Sequence, residues 1–234
     1  MATCSSSSTV RGYAAAGAPL TTPARRAARP HPGPVRIAVT ENGARLLCVH
    51  VLDPLVRAGI EIELIGGNAM VDLSKGDADL AIRVVRPEAE DLIRRRIGTL
   101  RYGLFAARGY LKRAPTLEAG WPGQGVLLPS GELAGGPEAT FLRHSASRAR
   151  IVMHANSHVA LACAAEAGLG LVVLPTNLAI FHTALERVRA LTEIPERPIW
   201  LVMHRSYRAD VRLRKAATIL SKAFATLESK LANA

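Results

Sequence analysis

Residues 156–175 read NSHVALACAAEAGLGLVVLP, and the succession of residue types in them points to one class of fold. Asn156 or Ser157 offers a side-chain oxygen to cap a helix, small residues follow, and Gly168 stands where a helix closes on a left-handed residue. LVVL then reads as a buried strand, ended by Pro175. Upstream, residues 71–86, VDLSKGDADLAIRVVR, repeat the scheme. Asn68 caps a short helix AMVDLSK, Gly76 ends it, and DLAIRVV becomes a strand with Leu80, Ile82 and Val84 on one face. Farther back, VRIAVT is a strand, and Glu41, Asn42 and Gly43 start a helix over ARLLCVHVL. Asp53 caps the restart of that helix at Pro54, and IEIELI alternates as a strand does. Recurring βα units of this length predict an α/β fold with an open, mainly parallel sheet, in which ligands bind beyond the carboxyl ends of strands.

The remaining segments are plainer. RYGLFAA is a strand, ARGYLKRA a short helix and GWPGQG a turn-rich break. GVLLPSGELAGGPE reads as a strand running into a flexible loop, RARIVMHA as a strand, residues 176–190 as a variable helical part and PIWLVMHR as the last strand. In the tail, Leu213, Ala217, Leu220, Phe224, Leu227 and Leu231 recur at helical spacing and give an amphipathic closing helix. Residues 1–33 carry no acid, a run of four serines, and Pro19, Pro23, Pro30 and Pro32. Such a composition cannot bury enough apolar surface to offset the entropy of folding, so this segment is expected to be disordered, with a faint likeness to an organelle transit peptide.

A chain of 234 residues with 49% hydrophobic content has enough material for a real core. No apolar run approaches the roughly 18–20 residues of a membrane span, and Cys4, Cys48 and Cys163 are too few and too scattered for a disulfide framework or a zinc site. A cytoplasmic protein without membrane contact is expected. The net charge of +11 raises the question of nucleic acid. The arginines cluster only at Arg94, Arg95 and Arg96 and at Arg143, Arg148 and Arg150, with no interleaved aromatic residues to stack on bases, so a solvated basic face is the better reading.

Chemistry is hard to find. His154 and His158 are four apart, but one ends a strand and the other begins a helix, so they do not share a face toward a metal. Ser130, in LLPSGELAGG, lacks the G-x-S-x-G elbow of a hydrolase, and Asp77 and Asp79 sit on a turn where backbone hydrogen bonds explain them. Gly66 and Gly67 lack dinucleotide-site spacing. No catalytic residue, metal or cofactor is expected. What is left is a set of polar groups at strand ends and helix starts: Thr40, Asn42, Asn68, Arg83, Ser130, Asn156 and Ser157. Free N–H groups at helix starts favour anionic or strongly polar ligands, which describes a cleft without a reaction.

The phrases VRIAVT, IEIELIGGNAMVDLSKGDADLAIRVVRP, LIRRRIGTLRYGLFAARGYL, NSHVALACAAEAGLGLVVLP and IWLVMHRSYRADVRLRKAATIL, over residues 34–225, resemble in order and spacing the effector-binding half of LysR-type transcriptional regulators. The resemblance implies a two-lobed, periplasmic-binding-protein-like (type 2) fold with two crossing strands. Lobe one would hold residues 34–105 plus 204–234 and lobe two residues 106–203, with crossings near Leu104 and Val202. It implies a small-molecule effector between the lobes, touching Thr40, Asn42, Gly67, Asn68, Arg83 and Ser130, with Ser157 and Pro175 near the hinge side. The arginine and the helix starts suggest an organic acid. The family also pairs effector domains antiparallel, through the helix near Leu46–Leu55 and the one near Ala160–Ala167. A family member begins with a winged helix-turn-helix of about 60 residues, whereas 33 residues precede the resemblance here. The chain is therefore expected to touch DNA only indirectly, as a homo-oligomer or in mixed dimers with full-length regulators. The rival reading is a solute-binding protein of a transport system on the same fold.

Overall fold

The computed structural model describes residues 33–67, 71–114, 116–190 and 193–232. The segment expected to be disordered and the expected cap Asn68 lie outside the described residues, apart from Gly33. Among the described residues there are two five-stranded sheets. The first runs in the order β2 (Ile62–Gly66), β1 (Val35–Val39), β3 (Leu80–Arg83), β10 (Arg197–His204), β4 (Leu92–Leu100). The second runs β7 (Arg150–Ala155), β6 (Gly125–Pro129), β8 (Leu171–Pro175), β5 (Tyr102–Ala107), β9 (Leu185–Val188). Each contains three parallel strands flanked by antiparallel ones.

The central strands are buried on both sides. Leu80, Ala81 and Ile82 of β3 are all covered, as are all five residues of β6 and of β8, because helices lie over both faces of a largely parallel sheet. Helix α1 (Glu41–His50) is capped by Thr40, whose Oγ1 accepts from the Gly43 N–H at 3.2 Å. Helix α2 (Asp53–Arg57) follows, with Pro54 in its first turn; Asp53 is its first residue rather than its cap, and its carboxylate meets Arg57 at 2.9 Å instead. Between α3 (Arg108–Leu111) and β7 stands α4 (Pro137–Ser145), and α5 (His158–Glu166) begins at Ser157, whose Oγ accepts from Ala160 N–H at 3.2 Å. After α5 the chain passes Gly168 at φ +76° and enters β8. The short α6 (Thr176–Ala179) follows β8, and α7 (Val211–Ala232) closes the chain with Leu213, Ala216, Leu220, Phe224 and Leu227 buried against the first sheet. Ala217, expected inside, is the half-buried neighbour of that stripe, and the Leu231 side chain lies outside the described ones.

Several sequence expectations need correction. In the stretch expected to be the helix AMVDLSK, the described part holds only a single 3₁₀ turn, Leu73–Lys75, capped by Asp72 and closed by Gly76 at φ +77°. Residues 176–190 hold α6 and then the strand β9, and the presumed loop after Ser130 contains a 3₁₀ turn, Gly131–Leu133, and α4. The arginine triplet Arg94–Arg96 belongs to β4, an edge strand whose charges discourage pairing with another sheet. Leu104 lies inside the second sheet, opposite Val173 and Val188, and Val202 lies inside the first, opposite Ala81 and Arg94. The chain instead crosses at Arg101, between the end of β4 and the start of β5, and returns over residues 189–196. The shift has a simple cause: β4 and β5 are separated by one residue with no glycine or proline to mark the junction.

Candidate functional site

A cavity of about 250 Å³ opens between the lobes, beyond the carboxyl ends of β1, β2 and β3. The first lobe contributes Thr40, Gly67, Ile82, Arg83 and Val85, the second contributes Glu132, Leu133, Gly136 and Glu138, and Arg197 joins them from the start of β10. A wider recess of about 820 Å³ is lined mostly by the return segment and the beginning of β5. The smaller space alone has helix starts of both lobes at its wall: Thr40 caps α1, and Gly136 caps α4.

Three of the sequence-predicted residues, Thr40, Gly67 and Arg83, line this cavity. Arg83 is partly buried, and its guanidinium donates to the Val71 carbonyl. Burial holds its pKa below the usual arginine value, against the opposing pull of Asp72. The structure places the other described predicted residues, Asn42, Ser130, Ser157 and Pro175, outside the cavity wall, while Asn68 lies outside the described residues. Asn42 is buried between lobes, with its Nδ2 donating to Asn177 Oδ1 at 3.2 Å. Ser130 precedes the 3₁₀ turn that carries Glu132 and Leu133, and its N–H donates to the Ala155 carbonyl at 2.8 Å. Ser157 donates from Oγ to Glu41 Oε2 at 2.8 Å, tying α5 to α1, and Pro175 ends β8 opposite Tyr102.

Sequence reasoning missed Glu138 and Arg197. For Glu138 a signal existed: Gly-Pro-Glu at residues 136–138 is a helix start, with proline in the first turn and an acid beside the positive end of the helix dipole. For Arg197 none did, since only the return of the chain brings it to the cavity. Glu138 is almost fully buried, and its Oε1 lies 3.1 Å from His158 Nε2. Tyr102, the first residue beyond the crossing, is buried: burial pushes its phenol well above the usual range, Glu138 adds to this, and Arg197 pulls the other way. His154 lies in β7 and His158 opens α5, and no group of His, Cys, Asp or Glu placed to hold a metal occurs among the described residues. No described helix is long and apolar enough to cross a membrane.

Helix α1 is seated on the second lobe. Besides the Asn42–Asn177 and Glu41–Ser157 contacts, the Arg45 guanidinium lies 4.2 Å from the Phe181 ring centroid, and His50 stacks on the same ring at 5.8 Å. Part of the helix surface that could serve a partner is thus used within the chain. Cys48 on α1 and Cys163 on α5 remain exposed.

A family model described as the LysR substrate binding domain matches residues 28–225. Among solved structures, CrgA, a LysR-type transcriptional regulator from Neisseria meningitidis, is similar at TM-score 0.67 and 19% identity, over 82% of this chain and 68% of that one. The reduced regulatory domain of OxyR2 from Vibrio vulnificus is similar at TM-score 0.62 and 18% identity, over 82% of this chain and 95% of that one. The CcmR regulatory domain from Synechocystis PCC6803, in complex with 2-PG, is similar at TM-score 0.62 and 17% identity, over 82% of this chain and 97% of that one. No curated protein matches the sequence. The two sheets joined by crossing segments are the periplasmic-binding-protein-like type 2 fold of these regulatory domains. With the family match spanning most of its length, the chain belongs to the LysR family of transcriptional regulators, as a substrate-binding regulatory domain and not an enzyme.

Proposed function

We propose that this domain binds a small organic acid in the 250 Å³ cavity and that closure of the two lobes on it carries the regulatory signal. The observation that supports this most is the convergence of Arg83, Arg197 and the capped start of α1 on one partly apolar space at strand ends. A neighbour of the same fold, the CcmR regulatory domain, is in complex with 2-PG. A thermal-shift panel tests the proposal: carboxylic acids at about a hundred times their Kd should stabilise the protein by about 2.7 kcal/mol. Stabilisation by neutral or cationic compounds, with none by acids, would remove the organic acid from consideration.

Thr40→Ala is expected to weaken binding of a stabilising acid about fivefold, the worth of one neutral hydrogen bond of about 1 kcal/mol, while Thr40→Ser keeps both cap and affinity. Ser157→Ala, which lies outside the wall, is expected to leave affinity within about twofold and to cost about 1 kcal/mol of stability through the lost helix cap. Titration calorimetry on the variants separates the two; equal losses of affinity would mean that the cavity is not the binding site.

For assembly, the proposed partner is a second copy or a full-length regulator, docked over the outer faces of α1, α2 and α5, where Cys48, Val49, Val56 and Cys163 are exposed. Val49→Glu is then expected to shift sedimentation toward the monomer, since a charge in an apolar interface core is not compensated. An unchanged sedimentation coefficient would place any interface elsewhere.

A further inference from the structure

A simple acid leaves one group in the cavity wall unexplained. The Glu138 side chain is 2% exposed; Oε1 meets His158 Nε2 at 3.1 Å and the Tyr102 hydroxyl borders the same carboxylate, but Oε2 is buried with no hydrogen-bond partner of ordinary geometry among the described residues. Leaving a buried acceptor unmatched costs about 1–3 kcal/mol, and more if it is charged. The arrangement is also built in by its neighbours. A Cβ at Gly136 would stand 2.4 Å from Oε2 and 2.5 Å from Oε1, so the carboxylate occupies the space that this glycine leaves. Arg197 lines the same cavity but forms no ion pair with Glu138 within 4.0 Å.

Resting on the effector role proposed above, we infer that the effector is a zwitterion of the amino acid class. Its protonated nitrogen donates to Glu138 Oε2, and its carboxylate lies against the wall that carries Thr40, Arg83 and Arg197. The two halves support each other physically. A cation beside Oε2 supplies the missing donor and compensates a buried negative charge, which neither a neutral ligand nor a dianion can do. The carboxylate half alone would bring a second negative charge into a space already bordered by Glu132 and Glu138.

The test uses matched sets on the full chain: each L-amino acid, the deaminated acid of the same skeleton, and the corresponding decarboxylated amine, read by thermal shift and then by calorimetry. At least one amino acid should stabilise the protein, with its deaminated acid and its amine each binding at least tenfold more weakly. Glu138→Gln, which keeps shape and the acceptor for His158, should weaken that amino acid at least tenfold and bind the deaminated acid more tightly than the wild type does, because a repelling charge is gone. The wild-type comparison keeps the test decisive even if the variant does not fold. A deaminated acid that binds as tightly as its amino acid, or an amine that does so, overturns the zwitterion and spares the effector role. If no member of any set binds and the wider panel of acids also fails, the effector role falls with it.

Discussion

Trp121→Ala should remove about 3–5 kcal/mol of stability, the usual loss for a large aromatic side chain deleted from a core. Trp121 is the largest of the fully buried side chains, 1% exposed, and it is held at φ +55°, a conformation that a bulky residue adopts only under constraint. The constraint is visible in its surroundings. Its N–H donates to Glu118 O at 2.9 Å, its carbonyl accepts from Gln124 N–H at 3.2 Å, and its ring lies tilted on Phe141 at 6.0 Å. Phe141 and Leu142 belong to α4, so the indole also braces the helix that carries Glu138. Urea unfolding followed by circular dichroism, with Trp200 fluorescence as a second probe, measures the loss. A change below about 1 kcal/mol would mean that the neighbours collapse into the space instead of leaving a cavity. Replacement by glycine, which relieves the positive φ, should lose slightly less than replacement by alanine at this position.

The second large effect concerns binding. Arg197→Met keeps the apolar stem and removes the cation, so an acid that stabilises the wild type should bind about ten- to a hundredfold more weakly, the equivalent of about 1.5–3 kcal/mol for a charge-assisted hydrogen bond. Arg150→Met, on β7 and outside the cavity wall, should leave affinity unchanged. Calorimetry on both variants checks the pair. A loss below twofold for Arg197→Met would assign the acid group to Arg83 and the helix starts instead.

The elements whose own residues dictate them could be read before any coordinates. The cap Ser157, the left-handed Gly76 and Gly168, and apolar runs such as LVVL are local signals, and each stands where its chemistry requires. Elements defined by a neighbour were illegible. β4 carries Arg94–Arg96 in the middle and shows no alternation, and becomes a strand only by pairing with β10. Trp121, placed in a turn by its flanking glycines and Pro122, is buried because the second lobe folds around that turn. The cavity behaved the same way. Thr40 follows β1 and Arg83 ends β3, positions the sequence marks, and Gly67 came from the resemblance, whereas Arg197 reaches the cavity only through the long return of the chain. Asn42, Ser157 and Pro175 share the helix-start and strand-end pattern, but the fold uses them at seams between elements.

The two links between the sheets differ in length. Arg101 alone separates β4 from β5, and its carbonyl accepts from Thr176 N–H at 2.9 Å, whereas the way back occupies residues 189–196. A single pinned residue offers only two soft torsions, and its Nε donates to Glu196 Oε1 at 2.9 Å on the way back. The closure proposed above would therefore pivot beside Arg101, where a small rotation would be levered into a wider displacement of the far rims.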